Sequence, residues 1–401
     1  MRFSVASTMG SGVPGGLAPQ KEPEFYRFGP PGSTNGETFF YAISIACKSP
    51  IDTGRQYPRW AISGKIRGVS EPARHAVPEL GFDAVKDLAS DDMQAVDDLI
   101  RRSLQSDVLL VSQVAEYIVT SGGKRIRPLI VLLAARALGY DGGHQMNAAA
   151  IIEFIHTATL LHDDVVDSSD RRRGRDTANT VFGNQASVLV GDFLYSRAFQ
   201  MMVEIGRMRV MEILADATNT IAAGEVMQLM NVHDPDVSED NYRMVIYRKT
   251  ARLFEAGAQI AAVLAERDPG DEADMISFGQ NLGTAFQLVD DALDYDASPD
   301  ELGKNLGDDL AEGKPTLPLI YAMEKGTETE KAMIRAAIVE GGLDRLDDIQ
   351  AVVERTGALQ YTAKRAQEAA DRAIDALANV PESKYKQAMI AIADFAVRRR
   401  S

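Results

Sequence analysis

Two aspartate clusters share the pattern Asp-Asp-x-x-Asp, and each lies in an apolar, helix-like run. They consist of Asp163, Asp164 and Asp167 in the first cluster and Asp290, Asp291 and Asp294 in the second. In a helix the first and last aspartates of each cluster share one face, where their charges repel. Burying such charges is costly unless a cation neutralises them. Mg²⁺ is suited to this task, because it usually binds one or two carboxylates together with substrate phosphates.

Other aspartate pairs in this acidic chain provide a baseline, since most such pairs are solvated surface. They begin at Asp91, Asp97, Asp308 and Asp347. The Asp308 pair is followed by Glu312 and lies between Gly307 and Gly313, so we expect it to be a loop. Only the clusters at 163–167 and 290–294 have apolar surroundings, and these favour a metal site over solvated surface.

Basic residues occur close to both clusters, as a phosphorylated substrate would require. The loop Gly122-Gly123-Lys124-Arg125-Ile126-Arg127-Pro128 places three cations before a predicted helix N-terminus, which itself favours anions. Further cations occur at Arg171–Arg175, at Lys249-Thr250 and from Lys304 to Lys314. Each group alone could be a solvated surface run, but their recurrence beside both clusters favours diphosphate binding.

His156 precedes Asp163 by seven residues and should share its helix face. It is either a satisfied core histidine or a donor to a phosphate, and the neighbouring site favours the second role.

Composition excludes several classes of function. The 401 residues carry a net charge of −15, which argues against a nucleic-acid partner. No apolar run is long enough to predict a transmembrane helix. Cys47 is the only cysteine, so no intrachain disulfide can form, and a reducing compartment is expected.

Residues 1–75 differ from the rest of the chain. They carry nine Lys/Arg against five Asp/Glu, are rich in Gly and Pro, and show no sustained periodicity. We expect them to be a disordered or non-native extension of a catalytic domain at 76–401. A misassigned start codon would make the protein a bacterial cytoplasmic one, whereas a transit peptide would direct it to mitochondria.

Helical periodicity runs almost without interruption from Ser90, a predicted N-cap. Further helices are predicted over 107–121, from Pro128 to Leu138, and over 145–168, 184–204, 208–232, 239–265, 272–297 and 315–325. Three or four shorter helices should follow residue 328. Strand signals are almost absent, so the prediction is an all-α bundle around a central active-site cavity.

The motifs GGKRIRP, EFIHTATLLHDDVVD, RRRG, KTA, FQLVDDALD and EGKPTLP, in this order, resemble the trans-polyprenyl diphosphate synthases from about residue 85 onward. The resemblance implies the isoprenoid synthase fold and a homodimeric prenyltransferase. Such an enzyme uses Mg²⁺ to add isopentenyl diphosphate head-to-tail to an allylic diphosphate, such as farnesyl or geranylgeranyl diphosphate. It also implies possible peripheral contact with a membrane for product release.

The resemblance assigns expected roles to individual residues. Asp163, Asp167 and Asp290 would bind Mg²⁺, with Asp164, Asp291, Asp294 and Lys249 completing the catalytic set. Arg172, Lys249, Thr250 and Gln287 would contact the allylic substrate, whereas Lys124, Arg127, His156 and Arg173 would hold isopentenyl diphosphate. Lys304 is expected to bind substrate beside the second cluster.

Product length should depend on the residues that precede the first cluster. Short-chain relatives carry an aromatic floor here, whereas this chain has the small residues Ala158 and Thr159, with Phe154 one turn further on. We therefore expect a long product, about C40 to C50, of the kind used as a quinone side chain.

Several alternatives remain open. One is a shorter-chain synthase, and another is a silent subunit of a heteromeric synthase, although such subunits typically lose an aspartate cluster. A terpene cyclase would usually have Asn, Ser or Thr with Glu in its second metal motif. A purely structural helical scaffold would leave two buried carboxylate clusters unexplained.

Overall fold

A computed structural model describes residues 80–120, 122–172, 174–296, 307–341 and 343–398. The predicted extension at residues 1–75 therefore lies outside the described residues. The described residues belong to one compact unit, residues 73–401. Its first helices are α1 (Phe82–Leu88), α2 (Ser90–Ser103), α3 (Leu109–Thr120) and α4 (Ile126–Ala137).

The middle of the chain contains the long helices that carry the predicted site. They are α5 (His144–Val166), α6 (Ala178–Phe182), α7 (Asn184–Ile205), α8 (Met208–Asn231), α9 (Glu239–Ile246), α10 (Arg252–Leu264) and α11 (Pro269–Asp296). Between α9 and α10, a π-helical turn at Tyr247–Ala251 continues the same axis. A hairpin of two-residue strands, β1 (Arg171–Arg172) and β2 (Arg175–Asp176), follows α5 and pairs antiparallel.

The C-terminal helices complete the bundle. They are α12 (Asp308–Ala311), α13 (Leu317–Lys325), α14 (Glu328–Glu340), α15 (Leu346–Arg355), α16 (Ala358–Asp375) and α17 (Lys384–Arg398). Helix α14 begins with a capping box, in which Thr327 and Glu330 exchange side-chain and backbone hydrogen bonds. Helix α16 packs along α11, so the C-terminal part covers the helix that carries the second aspartate cluster.

The core is built around helices that are apolar on most faces. Helix α4 buries nearly all of its residues, as does α10, which is expected of helices surrounded by other helices. Helix α5 packs against α4 and α7, and α10 packs against α4 and α11. Glycines allow the closest approaches: a Cβ on Gly279 of α11 would lie 2.6 Å from the Glu255 backbone of α10. This packing holds α5, α10 and α11 side by side.

The prediction of an all-α fold is confirmed, and most predicted helices lie within a few residues of their observed bounds. The predicted helix over 239–265 is interrupted by the π-helical turn, which periodicity does not detect. The N-cap of α2 is Ala89, not Ser90, and it makes no side-chain capping hydrogen bond. No helix among the described residues is both long and apolar enough to span a membrane.

Candidate active site

The first aspartate cluster lies at the C-terminal end of α5, with two of its carboxylates partly exposed. Asp163 Oδ2 lies 3.2 Å from Lys249 Nζ on the π-helical turn. Asp167 Oδ2 accepts a hydrogen bond from Lys314 Nζ at 2.9 Å. Burial alone would lower the pKa of Lys314, but Asp167 and other nearby carboxylates raise it. One turn of α5 therefore presents two carboxylates that already attract positive charge.

The middle aspartate of this cluster has a different environment. Asp164 is buried, and its Oδ1 accepts hydrogen bonds from Arg172 Nε at 2.8 Å and Nη2 at 2.7 Å. Burial raises the pKa of the Asp164 carboxyl despite the neighbouring guanidinium. Arg172 lies on β1, so this ion pair ties the hairpin to the end of α5. The buried carboxylate of Asp164 is therefore paired with Arg172.

The second cluster on α11 shows the same division between exposed and buried carboxylates. Asp291 is buried and accepts hydrogen bonds from the Tyr242 hydroxyl and, at 2.7 Å, from Gln287 Nε2. Burial raises the pKa of Asp291 to about 8. Asp294 is also buried, and its Oδ2 accepts from the backbone N–H of Asp309 at 3.1 Å. Asp290 is partly exposed, so it is the aspartate of this cluster that remains accessible to a ligand.

The π-helical turn connects the two clusters. Lys249 on this turn contacts Asp163 of the first cluster, and the adjacent Thr250 donates to Gln287 Oε1 at 2.8 Å. Gln287 in turn donates to Asp291 of the second cluster. A π-bulge repositions side chains within a helix, and here it places neighbouring residues toward α5 and α11. Adjacent residues of this turn therefore contact the two clusters, one through an ion pair and the other through hydrogen bonds.

Helix α8 supports this turn through two consecutive residues. A Cβ on Gly224 would lie 2.7 Å from Arg248 Cβ, so glycine permits the close approach of α8 to the π-helical turn. The next residue, Glu225, has Oε2 2.6 Å from Lys249 Nζ. Burial raises the pKa of Glu225 to about 7, although Lys249 opposes this shift. Lys249 thus lies between Glu225 and Asp163.

Two of the predicted binding residues for the second substrate, Arg127 of α4 and His156 of α5, are neighbours. Arg127 Nη1 lies 3.2 Å from His156 Nε2, so the basic loop and the predicted histidine are neighbours. Lys124 precedes Arg127 in the same loop and is exposed. The remaining predicted cations, Arg173 and Lys304, lie outside the described residues.

The predicted chain-length residues differ in their exposure. Ala158 is fully buried within the core, whereas Thr159 is partly exposed and its hydroxyl donates to the His156 carbonyl at 2.7 Å. Phe154 is buried beside a small cavity that it lines together with Leu194 of α7. These residues therefore lie along α5, between the aspartates at its C-terminal end and the interior of the bundle.

Sequence reasoning overlooked several residues of the site. They are Glu225 and Tyr242, together with Asp309 and Glu312, which were expected to be loop. Glu225 pairs with Lys249, Tyr242 with Asp291, Asp309 with Asp294 and Glu312 with Lys314. The expectation that the Asp308 pair forms a loop is wrong, because α12 begins there and Asp309 bonds to Asp294. The motif EGKPTLP contained a usable signal for Glu312 and Lys314. Glu225 and Tyr242 stand alone within helices, so nothing in the pattern singled them out.

The carboxylates fit a metal that arrives together with a diphosphate. Among the described residues, no three Asp, Glu, His or Cys side chains are grouped to hold an ion by themselves. Mg²⁺ usually needs only one or two carboxylates, because substrate phosphates and water supply its remaining ligands. Asp163 and Asp167 meet this requirement, since both are partly exposed and both already contact ammonium groups.

Comparison with known proteins decides the family. The sequence pattern of the polyprenyl synthetase family matches residues 108–356. This chain belongs to that family. It is 54% identical over 321 residues to octaprenyl diphosphate synthase of Escherichia coli (strain K12), covering 80% of this chain and 99% of that relative. It is 47% identical to the all-trans-nonaprenyl-diphosphate synthase (geranyl-diphosphate specific) of Rhodobacter capsulatus, covering 77% and 95%.

Solved structures of the family agree with the fold. A polyprenyl synthase from Caulobacter crescentus CB15, complexed with calcium and isoprenyl diphosphate, is 45% identical and has a TM-score of 0.78. The match covers 81% of this chain and 99% of that one. A decaprenyl diphosphate synthase from Rhodobacter capsulatus is 41% identical, with a TM-score of 0.76 and coverage of 80% and 100%.

These matches confirm that this polyprenyl synthetase is a prenyltransferase with the isoprenoid synthase fold. They also confirm the predicted class, a long-chain trans-polyprenyl diphosphate synthase. Members of the family use a divalent metal. The roles of individual residues and the boundary of the catalytic domain stay predictions.

Proposed function

We propose that the protein adds isopentenyl diphosphate repeatedly to an allylic diphosphate and releases an all-trans product of about C40 to C50 for quinone side chains. The observation that carries this proposal is the link between both aspartate clusters: Lys249 pairs with Asp163, and the adjacent Thr250 bonds to Gln287, which donates to Asp291. A single diphosphate bound beside Lys249, Thr250 and Gln287 would lie next to both aspartate clusters. The names of the relatives, octaprenyl, nonaprenyl and decaprenyl diphosphate synthases, support the chain length.

The allylic diphosphate would bind between α5 and α11. Asp163, Asp167 and Asp290 are the aspartates with accessible carboxylates and would hold Mg²⁺. When bound, Mg²⁺ stabilises the negative charge that develops on a departing diphosphate. Lys249 and Arg172 add positive charge to the same region, each held by a carboxylate that limits its movement. Thr250 and Gln287 complete the expected contacts with the allylic substrate.

Isopentenyl diphosphate would bind at the basic loop. Lys124, Arg127 and His156 would hold its phosphates, and Arg173 is expected to join them. The guanidinium of Arg127 suits phosphate oxygens, because it donates several hydrogen bonds from one plane. This arrangement would place the double bond of isopentenyl diphosphate toward the allylic carbon. Lys304 is proposed as a further contact of the allylic diphosphate.

The reaction then needs little acid–base chemistry from the protein. The bond between the allylic carbon and its diphosphate oxygen breaks, and both electrons leave with the diphosphate. The double bond of isopentenyl diphosphate attacks the allylic cation, and a carbon–carbon bond forms. A proton is then lost from the new cation to the departing diphosphate. The role of the chain is to orient both substrates and to exclude water that would quench the cation.

A homodimer is proposed from large apolar side chains that α7 and α8 leave exposed. They include Leu189 and Val203 of α7 and Val226, Leu229 and Met230 of α8. A second copy of the chain would bury such surfaces.

Exposed Val108, Leu109 and Leu110 near the start of α3 could make peripheral membrane contact during product release. Bacterial relatives and the single cysteine support a cytoplasmic location.

The function is tested by measuring incorporation of labelled isopentenyl diphosphate with farnesyl diphosphate, with and without Mg²⁺. We expect Mg²⁺-dependent incorporation by the wild type and a loss of about 100-fold or more in Asp163→Asn and Asp290→Asn. The control is the double variant Asp347→Asn/Asp348→Asn, an exposed aspartate pair on α15. Full activity of Asp163→Asn, or equal loss in the control, would contradict the proposed metal site.

A further inference from the structure

The three cations of the basic loop point in different directions. Lys124 Nζ lies 5.6 Å from the ring centroid of Phe395 on α17. The guanidinium carbon of Arg127 lies 4.5 Å from the ring centroid of Phe254 on α10, and Nη1 is 3.2 Å from His156 Nε2. These are the two cations to which the proposed function gives a substrate contact. The third cation, Arg125, has no role in that scheme.

Arg125 turns toward the interior and pairs with α5. Its Nη1 donates to Glu153 Oε1 at 2.6 Å, and its Nη2 lies 3.5 Å from the Val119 carbonyl oxygen. The Arg125 side chain is 18% exposed and that of Glu153 is 12% exposed. Both line the small cavity that also contains Phe154. Arg125 therefore links the basic loop to α5.

The backbone at Arg125 also needs support. Its φ of 50° places it in the left-handed region immediately before α4. This conformation costs a residue other than glycine about 1 kcal/mol or more. Gly122, three residues earlier in the loop, also has a left-handed φ, of 74°. An ion pair to a rigid helix is one means of holding such a loop in a single conformation.

The ion pair joins the basic loop to α5, the helix that also carries predicted substrate-binding and metal-binding residues. Glu153 lies three residues before His156 on α5, and the same helix continues to Asp163. Residues three apart on a helix are neighbours. The Arg125–Glu153 pair therefore ties the loop that carries Lys124, and the first turn of α4 that carries Arg127, to the helix that carries His156 and the first aspartate cluster.

We propose that Arg125 and Glu153 are positioning residues for the isopentenyl diphosphate site. Their ion pair holds Lys124 and Arg127 at a fixed distance from His156, so that the three groups bind one diphosphate together. The inference deepens the proposed function and rests on it. Stability alone is a poor explanation, because replacing a buried ion pair with two apolar residues is often neutral or stabilising.

The chain offers a matched control pair on the same helix. Arg136, in the last turn of α4, donates to both carboxylate oxygens of Asp92 on α2, each at 2.8 Å. Its side chain is 28% exposed and that of Asp92 is 19% exposed. This pair has similar chemistry and also joins α4 to the rest of the bundle, but it lies at the opposite end of α4 from the basic loop.

The experiment compares Arg125→Met, Glu153→Met and the double variant with Arg136→Met and its double variant Arg136→Met/Asp92→Met. For each protein, KM is measured separately for isopentenyl diphosphate and farnesyl diphosphate, together with kcat and Tm. In Arg125→Met and Glu153→Met, KM for isopentenyl diphosphate should rise by about tenfold, with KM for farnesyl diphosphate nearly unchanged. Both should also lower Tm, because each leaves a partly buried charge unpaired.

The double variant separates positioning from stability. Arg125→Met/Glu153→Met should recover most of the lost Tm while KM for isopentenyl diphosphate stays raised. The variants of the control pair should change Tm without changing either KM. The proposal is overturned if KM for isopentenyl diphosphate is unchanged in both single variants, or if it recovers together with Tm. If the wild type incorporates no isopentenyl diphosphate, the proposed function itself fails.

Discussion

The substitution Ala158→Phe tests how the growing chain uses α5. Ala158 precedes Asp163 by five residues, which is about 7.5 Å along a helix, and Phe154 precedes it by nine residues, about 13.5 Å. If the product grows along this helix from the aspartates, a ring at position 158 would block it early. We therefore expect Ala158→Phe to shorten the product sharply.

The size of the effect follows from chain dimensions. An extended five-carbon unit spans roughly 5 Å, by the bond lengths that also set the reach of a polypeptide. In addition to the unit that carries the diphosphate, a floor at Ala158 leaves room for about two units below Asp163, just enough for farnesyl diphosphate, whereas Phe154 leaves room for about three. A straight chain of eight units needs roughly 40 Å, more than the whole of α5 at about 34 Å. A C40 product must therefore bend past Phe154, so Phe154→Ala should change product length much less than Ala158→Phe.

The assay is mass spectrometry of the dephosphorylated products formed from farnesyl and isopentenyl diphosphates. Ala158→Phe should add at most one unit to the farnesyl primer and stop at C20, and Thr159→Val, which removes a hydroxyl without adding bulk, should keep the wild-type distribution. Ala158 is fully buried, so the added ring should also cost about 1–3 kcal/mol of stability. A thermal unfolding scan shows whether the variant remains folded at the assay temperature.

The result that refutes this reasoning is a folded Ala158→Phe enzyme with unchanged product length. The growing chain would then pass along another helix, and the small residues before the first cluster would have no bearing on product size.

Two further predictions concern ion pairs of the site. Arg172→Met should lower the free energy of unfolding by about 3–5 kcal/mol in urea, because it leaves the buried Asp164 carboxylate unpaired. Asp164→Asn should cost less, about 1 kcal/mol, because the charge that it leaves unpaired, Arg172, is partly exposed and can be solvated, and a larger loss than in Arg172→Met would contradict this interpretation. Folding raises the pKa of Glu225 from its ordinary value of 4.5 to about 7, so the folded state binds the Glu225 proton more tightly than the unfolded chain does. The stability that this proton contributes is complete below about pH 4.5 and is lost as the pH rises through about 7. The Tm of Glu225→Gln relative to wild type should therefore increase from pH 5 to 7 and then level off, and a constant difference would exclude a raised pKa.

The aspartate clusters could be predicted from sequence because their spacing, charge and apolar surroundings all indicate one chemistry. Helical periodicity then placed Asp163 and Asp167 together on α5, where the structure has them facing Lys249 and Lys314. The family resemblance gave His156 and Arg127 the same substrate, and the structure places the two side chains next to each other. Local pattern was sufficient where function depends on residues within one helix.

Contacts between helices were not predictable in the same way. The π-helical turn changes the direction of Lys249 and Thr250 without altering hydrophobic periodicity. Glu225 reaches Lys249 only because Gly224 lets α8 approach the turn closely. Asp309 appeared to be loop, yet its backbone N–H bonds to Asp294 at the start of α12. These pairings depend on tertiary packing, which a single sequence does not reveal.

The most direct test of the central claim is the product spectrum of the purified wild-type protein with Mg²⁺, farnesyl diphosphate and isopentenyl diphosphate. We predict that this chain alone consumes isopentenyl diphosphate and that mass spectrometry finds all-trans products of about C40 to C50. Products no longer than C20 would contradict the long-chain assignment. No consumption by the pure protein would contradict the claim that the two aspartate clusters form a complete active site.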